Sequence, residues 1–196
     1  AEHCPEAEEV LKRVAFGIQS FFETLGDEGA WPEGIGYWNY GMRYGFMYLL
    51  SHESATGHTH PLLEQPGAAA TMSFPLDFSP RDVACSFGYT NNFNPLPFHL
   101  AAAKRLKRTD VVDELMRRLD IEYSSSAPIV GTGLPRKNPN TMQWRTGAWP
   151  TDAELLLLMP RDDATKNEMP WPNHKLYHDM QWGYVADQMP VPNLYV

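Results

Sequence analysis

Cysteine is scarce in this sequence, because Cys4 and Cys85 are the two copies among 196 residues. A disulfide-stabilised scaffold needs several pairs, and a common zinc site needs cysteine or histidine ligands at short, regular spacings. Neither pattern is present, so we expect no bound metal and no other cofactor. A single Cys4–Cys85 bridge stays open as an alternative in an oxidising compartment.

Long apolar runs and positive charge are also in short supply. No stretch approaches the roughly 20 consecutive apolar residues that a membrane-spanning helix needs. The formal net charge is -8, with 16 lysines and arginines against 24 aspartates and glutamates, whereas a nucleic-acid surface needs clustered positive charge. We therefore expect neither a nucleic-acid partner nor membrane insertion. Among acidic polymers, a weakly charged uronate polymer suits this field better than heparin.

Aromatic side chains, by contrast, are plentiful. They make up 12% of the sequence and include six tryptophans, within a composition of 43% hydrophobic and 20% charged residues. Such a balance is typical of a globular domain with its own hydrophobic core. The tryptophans favour a carbohydrate or another flat ligand, although tryptophan is also an ordinary core residue.

The densest aromatic segment leads from a glycine-rich loop into a helix and reads Trp31-Pro32-Glu33-Gly34-Ile35-Gly36-Tyr37-Trp38-Asn39-Tyr40-Gly41. Polar-tipped aromatic rings beside a carboxylate and an amide are unusual on a core-facing helix stripe. They suit a surface that holds a sugar, since each ring offers an apolar face together with a polar group. The alternative is a glycine-rich turn that enters a helix of the aromatic core.

The pattern Glu33-Gly-x-x-Tyr37-Trp38-x-Tyr40-Gly41 resembles the signature helix of the heparinase II/III-like polysaccharide lyases, a group of alginate- and heparin-lyase-like enzymes. The resemblance implies a mainly α fold, namely part of an (α/α) toroid followed by the first strands of an antiparallel β-sandwich. Residues 1–160 would then form the toroid portion, and residues 161–196 a linker and the start of the β domain. Both ends of the chain look cut, so we expect a fragment of a longer protein.

Hydrophobic periodicity predicts where the elements lie. Helices are expected over 6–25, 37–51, 61–72 with an interruption at Pro66, 96–106, 111–123 and 151–158. Strands are expected over 183–186 and 194–196, with irregular connections over 27–36 and 73–97 and a linker over 160–173. Both faces of the 37–51 helix are apolar or aromatic, which predicts burial on all sides. Gly41 and Gly45 would let a neighbouring helix come close.

The resemblance implies a β-elimination on a uronate-containing polysaccharide, in which a base removes the C5 proton and the glycosidic oxygen leaves from C4. Tyr37 stands where the pattern places the reactive tyrosine. Tyr40, one helical turn later, is the second candidate for the acid/base. Glu33 is expected to orient the tyrosine or to bind a sugar hydroxyl.

Three further side chains complete the predicted substrate site. Trp38 and Asn39 are expected to contact sugar, and Trp144 is a candidate for a second aromatic wall, with structural packing as the alternative for both tryptophans. The family's site also uses an upstream asparagine or histidine and a histidine from the sandwich, and neither can be located in this chain. The expected partner is an acidic polysaccharide or oligosaccharide, and the expected location is the periplasm or the outside of the cell.

Two other classes of function stay open. An α/α toroid also serves glycoside hydrolases, which use two carboxylates, and Glu33 with Asp77, Asp82 or Asp152 is such a pair. A toroid that binds carbohydrate without catalysis would keep the aromatic wall alone. His58 and His60 could bind a metal only with a third ligand from elsewhere in the chain.

Overall fold

The computed structural model of the protein describes residues 5–81, 96–124 and 168–196. This part is mainly helical, with a two-stranded antiparallel sheet near the C-terminus. The elements are α1 (Pro5–Glu23), α2 (Ile35–Thr56), a 3-10 turn (Pro61–Glu64), α3 (Pro66–Ala70), α4 (Phe74–Asp77), α5 (Pro97–Arg105), α6 (Thr109–Ser124), β1 (His174–Tyr177) and β2 (Trp182–Val185). The mainly α class is therefore confirmed, while the toroid and the sandwich stay predictions.

Several predictions from the sequence lie outside the described residues. They concern Trp144, the helix at 151–158, the domain boundary near residue 160, the carboxylates Asp82 and Asp152, and the cysteine pair. Within the described ranges, none of the helices combines the length and the apolar character that crossing a bilayer requires.

Helix α1 buries less of its apolar face than its periodicity predicts. Val10, Leu11 and Val14 remain 56%, 53% and 37% exposed. Among the described residues, only the C-terminal turns of α1 pack against the core, through Ile18, Phe21 and Phe22. The pattern identified the helix correctly, but an amphipathic face does not reveal how much of its length meets a neighbour.

Helix α2 is the central helix of the described core and extends from Ile35 to Thr56, beyond the predicted 37–51. One stripe of it is fully buried and consists of Trp38, Met42, Phe46 and Leu49. On the side facing α1, Gly41 and Gly45 lie directly beneath the rings of Phe21 and Phe22. The prediction that these glycines allow close helix approach is thus confirmed.

The entry to α2 is fixed at Thr71, just beyond the C-terminus of α3. The indole Nε1 of Trp38 donates a buried hydrogen bond of 2.7 Å to the Thr71 hydroxyl. Gly29, in the loop before α2, has φ of +71° and brings its backbone against the Thr71 amide. Thr71 therefore positions both the loop before α2 and the first turn of the helix. These contacts fix the orientation of the segment from Glu33 to Tyr40.

Replacing Gly29 with alanine should destabilise the protein by at least about 1 kcal/mol more than the matched change Gly57→Ala. Both glycines have φ of +71°, but a Cβ at Gly29 would collide with the backbone of Ala70 and Thr71, whereas Gly57 has open space around it. Chemical denaturation of both variants measures the difference. Equal losses would show that the loop does not need its close contact with Thr71.

The helical core is completed by α5 and α6, which pack against each other while α5 also contacts α2. His99 of α5 is fully buried, lies 4.8 Å from the Trp38 ring, and has its Nε2 2.8 Å from the Met72 carbonyl. Burial lowers the pKa of His99 to about 3. This histidine is therefore a neutral core residue and not an exposed acid or base.

A buried carboxylate on α6 gathers three arginines. The side chain of Glu114 is 1% exposed and accepts hydrogen bonds from Arg81 at 2.6 Å, Arg117 at 2.7 Å and Arg118 at 2.8 Å. Arg118 also donates to the Ser79 carbonyl at 2.7 Å. This cluster joins α6 to the segment that follows α4.

The C-terminal sheet differs from the predicted strand pairing. β1 pairs with β2 in antiparallel register, from His174 opposite Val185 to Tyr177 opposite Trp182. The predicted 183–186 strand overlaps β2, but its main partner β1 was not predicted. The predicted strand at 194–196 contributes one bridge, between Ala186 and Tyr195. Tyr177 is fully buried and belongs to the same core cluster as the helices.

Candidate functional site

Three tyrosines form an exposed row along α2, which we call the tyrosine ridge. Tyr37, Tyr40 and Tyr44 are 44%, 47% and 52% exposed. They follow the spacing of one helix face, and the rings of Tyr40 and Tyr44 meet edge to face at 5.5 Å. The prediction that α2 is buried on all sides is wrong, because this face is open.

The structure separates the predicted site residues into exposed and buried groups. Glu33, Tyr37 and Tyr40 are exposed at the N-terminal end of α2. Trp38 is fully buried and Asn39 is 5% exposed. For Trp38 the structure favours the alternative of structural packing, because its ring lies in the core and its Nε1 donates to Thr71. Asn39 offers very little surface to a ligand.

The difference between Trp38 and its tyrosine neighbours has a physical reason. Successive helical residues point about 100° apart, so Tyr37 and Trp38 cannot share one face. The larger apolar ring faces α3 and α5, where Thr71 satisfies its single donor. Tyr37, Tyr40 and Tyr44 instead keep about half of their surface exposed to solvent.

A pocket of about 550 Å³ lies where residues 169–172 and β1 meet the helices. Its polar lining consists of Ser73, Asp77, Arg108 and Lys175, and Trp171 contributes an aromatic wall. This volume lies within the roughly 300–1,000 Å³ that small-molecule sites occupy. We call it the Asp77 pocket.

Asp77 connects the helical core to the C-terminal sheet. Its side chain is 2% exposed, and its Oδ2 accepts hydrogen bonds from Lys175 Nζ at 2.7 Å and from the Tyr177 hydroxyl at 2.5 Å. The Tyr195 hydroxyl donates to the Asp77 carbonyl at 2.7 Å. Burial raises the pKa of Asp77, while Lys175 and Tyr177 oppose that rise. Burial and the Asp77 charge also raise the pKa of Tyr177, which keeps that hydroxyl protonated as a donor.

These contacts weaken the two-carboxylate alternative. Asp77 is committed to Lys175 and Tyr177 in a buried position, whereas Glu33 is exposed at the start of α2. A glycosidase needs both carboxylates to reach opposite sides of one scissile bond. Asp82 and Asp152 lie outside the described residues.

His60, in the loop after α2, has structural contacts. His60 Nδ1 accepts from the Leu62 amide at 3.3 Å, and its ring meets that of His52 at 4.9 Å. Burial, together with the charge of His52, lowers the pKa of His60. Among the residues that the structure describes, no three histidine, cysteine, aspartate or glutamate side chains come together as a metal site.

Sequence reasoning missed Lys175, Arg108 and Trp171 as candidates for a site. Lys175 and Tyr177 are two residues apart on β1, so both side chains lie on one face of the strand and reach Asp77. The only local signal was this spacing of two residues. Asp77 lies 98 residues before Lys175 and 100 residues before Tyr177. A contact over that separation is not visible in any local pattern.

Comparisons of the chain with protein-family models, with curated proteins and with solved structures found no match.

Proposed function

We propose that this protein belongs to a polysaccharide lyase that cleaves a uronate-containing polysaccharide by β-elimination, with Tyr37 as the acid/base and Tyr40 as the second candidate. The observation that carries the proposal is the tyrosine ridge. Tyr37 and Tyr40 present their side chains to solvent beside the exposed Glu33, whereas Trp38 between them is buried. This exposure supports the proposal, because a polymer can reach side chains that a helix presents to solvent.

The β-elimination requires two proton transfers at one sugar linkage. A base removes the proton from C5, the C4–oxygen bond breaks, a double bond forms between C4 and C5, and the leaving oxygen takes up a proton. A tyrosine hydroxyl can serve as base when ionised and as acid when protonated. The sugar carboxylate must be neutralised during this step, because negative charge accumulates next to it.

The polymer and its location follow from charge and size. With a net charge of -8, the average field of the protein repels a highly sulfated chain more strongly than a chain with one carboxylate per sugar. An acidic polysaccharide is too large to enter the cytoplasm intact, so an enzyme that degrades it must meet it outside. We therefore propose a periplasmic or secreted enzyme, with the resemblance of the Glu33–Gly41 pattern as further support.

Incubation with uronate polymers tests the proposal against its alternatives. A lyase releases unsaturated products, which are seen as an increase in ultraviolet absorbance. New reducing ends without that absorbance would instead identify a hydrolase. Saturable binding of polymer with neither signal would identify a carbohydrate-binding module and would overturn the proposed chemistry.

A further inference from the structure

The Asp77 pocket is separate from the tyrosine chemistry in the residues it uses, and two of its lining residues, Arg108 and Lys175, are cations. Lys175 donates to Asp77, with its ammonium 4.4 Å from the Tyr177 ring centre, and is 33% exposed. An ammonium carries three donors, so Lys175 retains others that can turn to the pocket.

Arg108 adds further donors to the lining. Its Nε and Nη2 donate to Asp110 at 3.0 and 2.9 Å, and its Nη1 donates to the Ala69 carbonyl at 2.8 Å. A guanidinium has five N–H groups, so its terminal nitrogens keep donors beyond these bonds. Asp110, which balances the charge of Arg108, is not part of the pocket lining.

One carboxylate oxygen of the lining is already used within the protein. Asp77 Oδ2 accepts from both Lys175 and Tyr177. The buried indole Nε1 of Trp171 has no acceptor among residues 5–81, 96–124 and 168–196. The remaining donors of Lys175 and Arg108 are complementary to a ligand that brings acceptor oxygens.

We propose that the Asp77 pocket binds one sugar acid, with its carboxylate at Lys175 and Arg108 and its ring against Trp171. Charge-assisted hydrogen bonds to a carboxylate are stronger than those to a neutral hydroxyl, so the sugar's charge decides affinity. The tryptophan wall supplies an apolar surface for the C–H face of the ring. The choice of a uronate as ligand rests on the proposed function, whereas the pocket itself does not depend on Tyr37.

Calorimetric titration with D-glucuronate, and with D-glucose as its neutral analogue, tests the proposal. We expect saturable glucuronate binding that is at least about tenfold tighter than glucose binding. Lys175→Met should weaken glucuronate binding about tenfold and leave glucose binding unchanged, while Trp171→Ala should weaken both. Lys12→Met is the matched control, because Lys12 also pairs with a carboxylate, that of Glu8 at 2.9 Å, but on the exposed surface of α1.

Folding of the variants is kept apart from binding. Lys175→Met leaves Asp77 with one fewer partner. The double variant Asp77→Asn/Lys175→Met removes both charges and is therefore titrated in parallel. Its circular dichroism is first compared with that of the parent. Loss of glucuronate preference in a folded double variant supports the pocket. Equal affinity for both sugars in the parent, absence of saturable binding, or an unchanged preference in Lys175→Met would overturn it.

The same titration distinguishes this proposal from the proposed function. Tyr37→Phe should keep its glucuronate binding while it loses elimination. A protein that binds glucuronate through Lys175 but releases no unsaturated product would retain the pocket and lose the lyase. A protein that eliminates normally but shows no Lys175-dependent binding would do the reverse.

Discussion

Replacing Tyr37 with phenylalanine is expected to lower the rate of elimination by about a hundredfold to ten-thousandfold, the usual contribution of a positioned acid or base. The substitution removes only the hydroxyl group, and the ring is 44% exposed. The free energy of unfolding should therefore change by less than about 0.5 kcal/mol. Initial rates of product absorbance measure the first effect, and denaturant titration measures the second.

A kinetic comparison makes this prediction specific to Tyr37. In the proposed mechanism the hydroxyl acts in the transition state more than in binding, so the loss should appear in kcat with little change in KM. Tyr48→Phe is a suitable control, since Tyr48 lies on the same helix, is half-buried and packs edge to face on His60 at 5.9 Å. Turnover at the parent rate in Tyr37→Phe would remove Tyr37 from the mechanism. A large loss confined to Tyr40→Phe would transfer the role to Tyr40.

The helices could be predicted from the sequence because their signals are local. The spacing of apolar residues and the glycine and proline positions identified α1, α5 and α6 to within a few residues. The close contact at Gly41 and Gly45 was also predictable, since two glycines one turn apart leave a groove on a helix. What periodicity could not decide was which aromatic face of α2 is covered. Trp38 and Tyr37 look alike as aromatic residues, and only the position of Thr71 shows which of them is buried.

The Asp77 pocket was beyond prediction because its parts come from distant segments. Asp77 lies in a stretch of phenylalanine, proline and serine that has no helical periodicity. It is nevertheless the last residue of the four-residue helix α4, which also contains Pro75. Lys175 follows a segment whose prolines indicate a linker. Neither segment contains a sign of the other, and their pairing depends on the fold as a whole.

Replacing Glu114 with glutamine should destabilise the protein by about 3 kcal/mol or more, because removal of one partner of a buried ion pair leaves uncompensated charge. Arg81, Arg117 and Arg118 all donate to this carboxylate, and glutamine has nearly the same shape without the charge. Three guanidinium groups would then face one another around a neutral side chain. Denaturant unfolding at neutral pH measures the loss.

The surface pair on α1 provides the control. Glu8 is 74% exposed and lies 2.9 Å from Lys12, and Glu8→Gln should cost no more than about 0.5 kcal/mol because exposed pairs are screened by water. A loss below about 1 kcal/mol in Glu114→Gln would show that the arginines do not depend on this charge.

The pH dependence of the same variant has a definite sign. Burial would raise the pKa of Glu114, but hydrogen bonds from Arg117 and Arg81 and the charge of Arg118 outweigh it and lower the pKa from 4.5 to about 2. A carboxylate whose pKa is lower in the folded state stabilises the fold fully above the unfolded value, and this contribution disappears as the pH falls toward the folded value. The stability difference between parent and variant should thus be constant from neutral pH to about 5, and should shrink between about 4.5 and 2. His99, whose pKa burial lowers to about 3, weakens both proteins as the pH falls below about 6.5, so it cancels in the difference. A gap that stayed constant down to pH 2 would mean that the loss in Glu114→Gln comes from packing and not from charge.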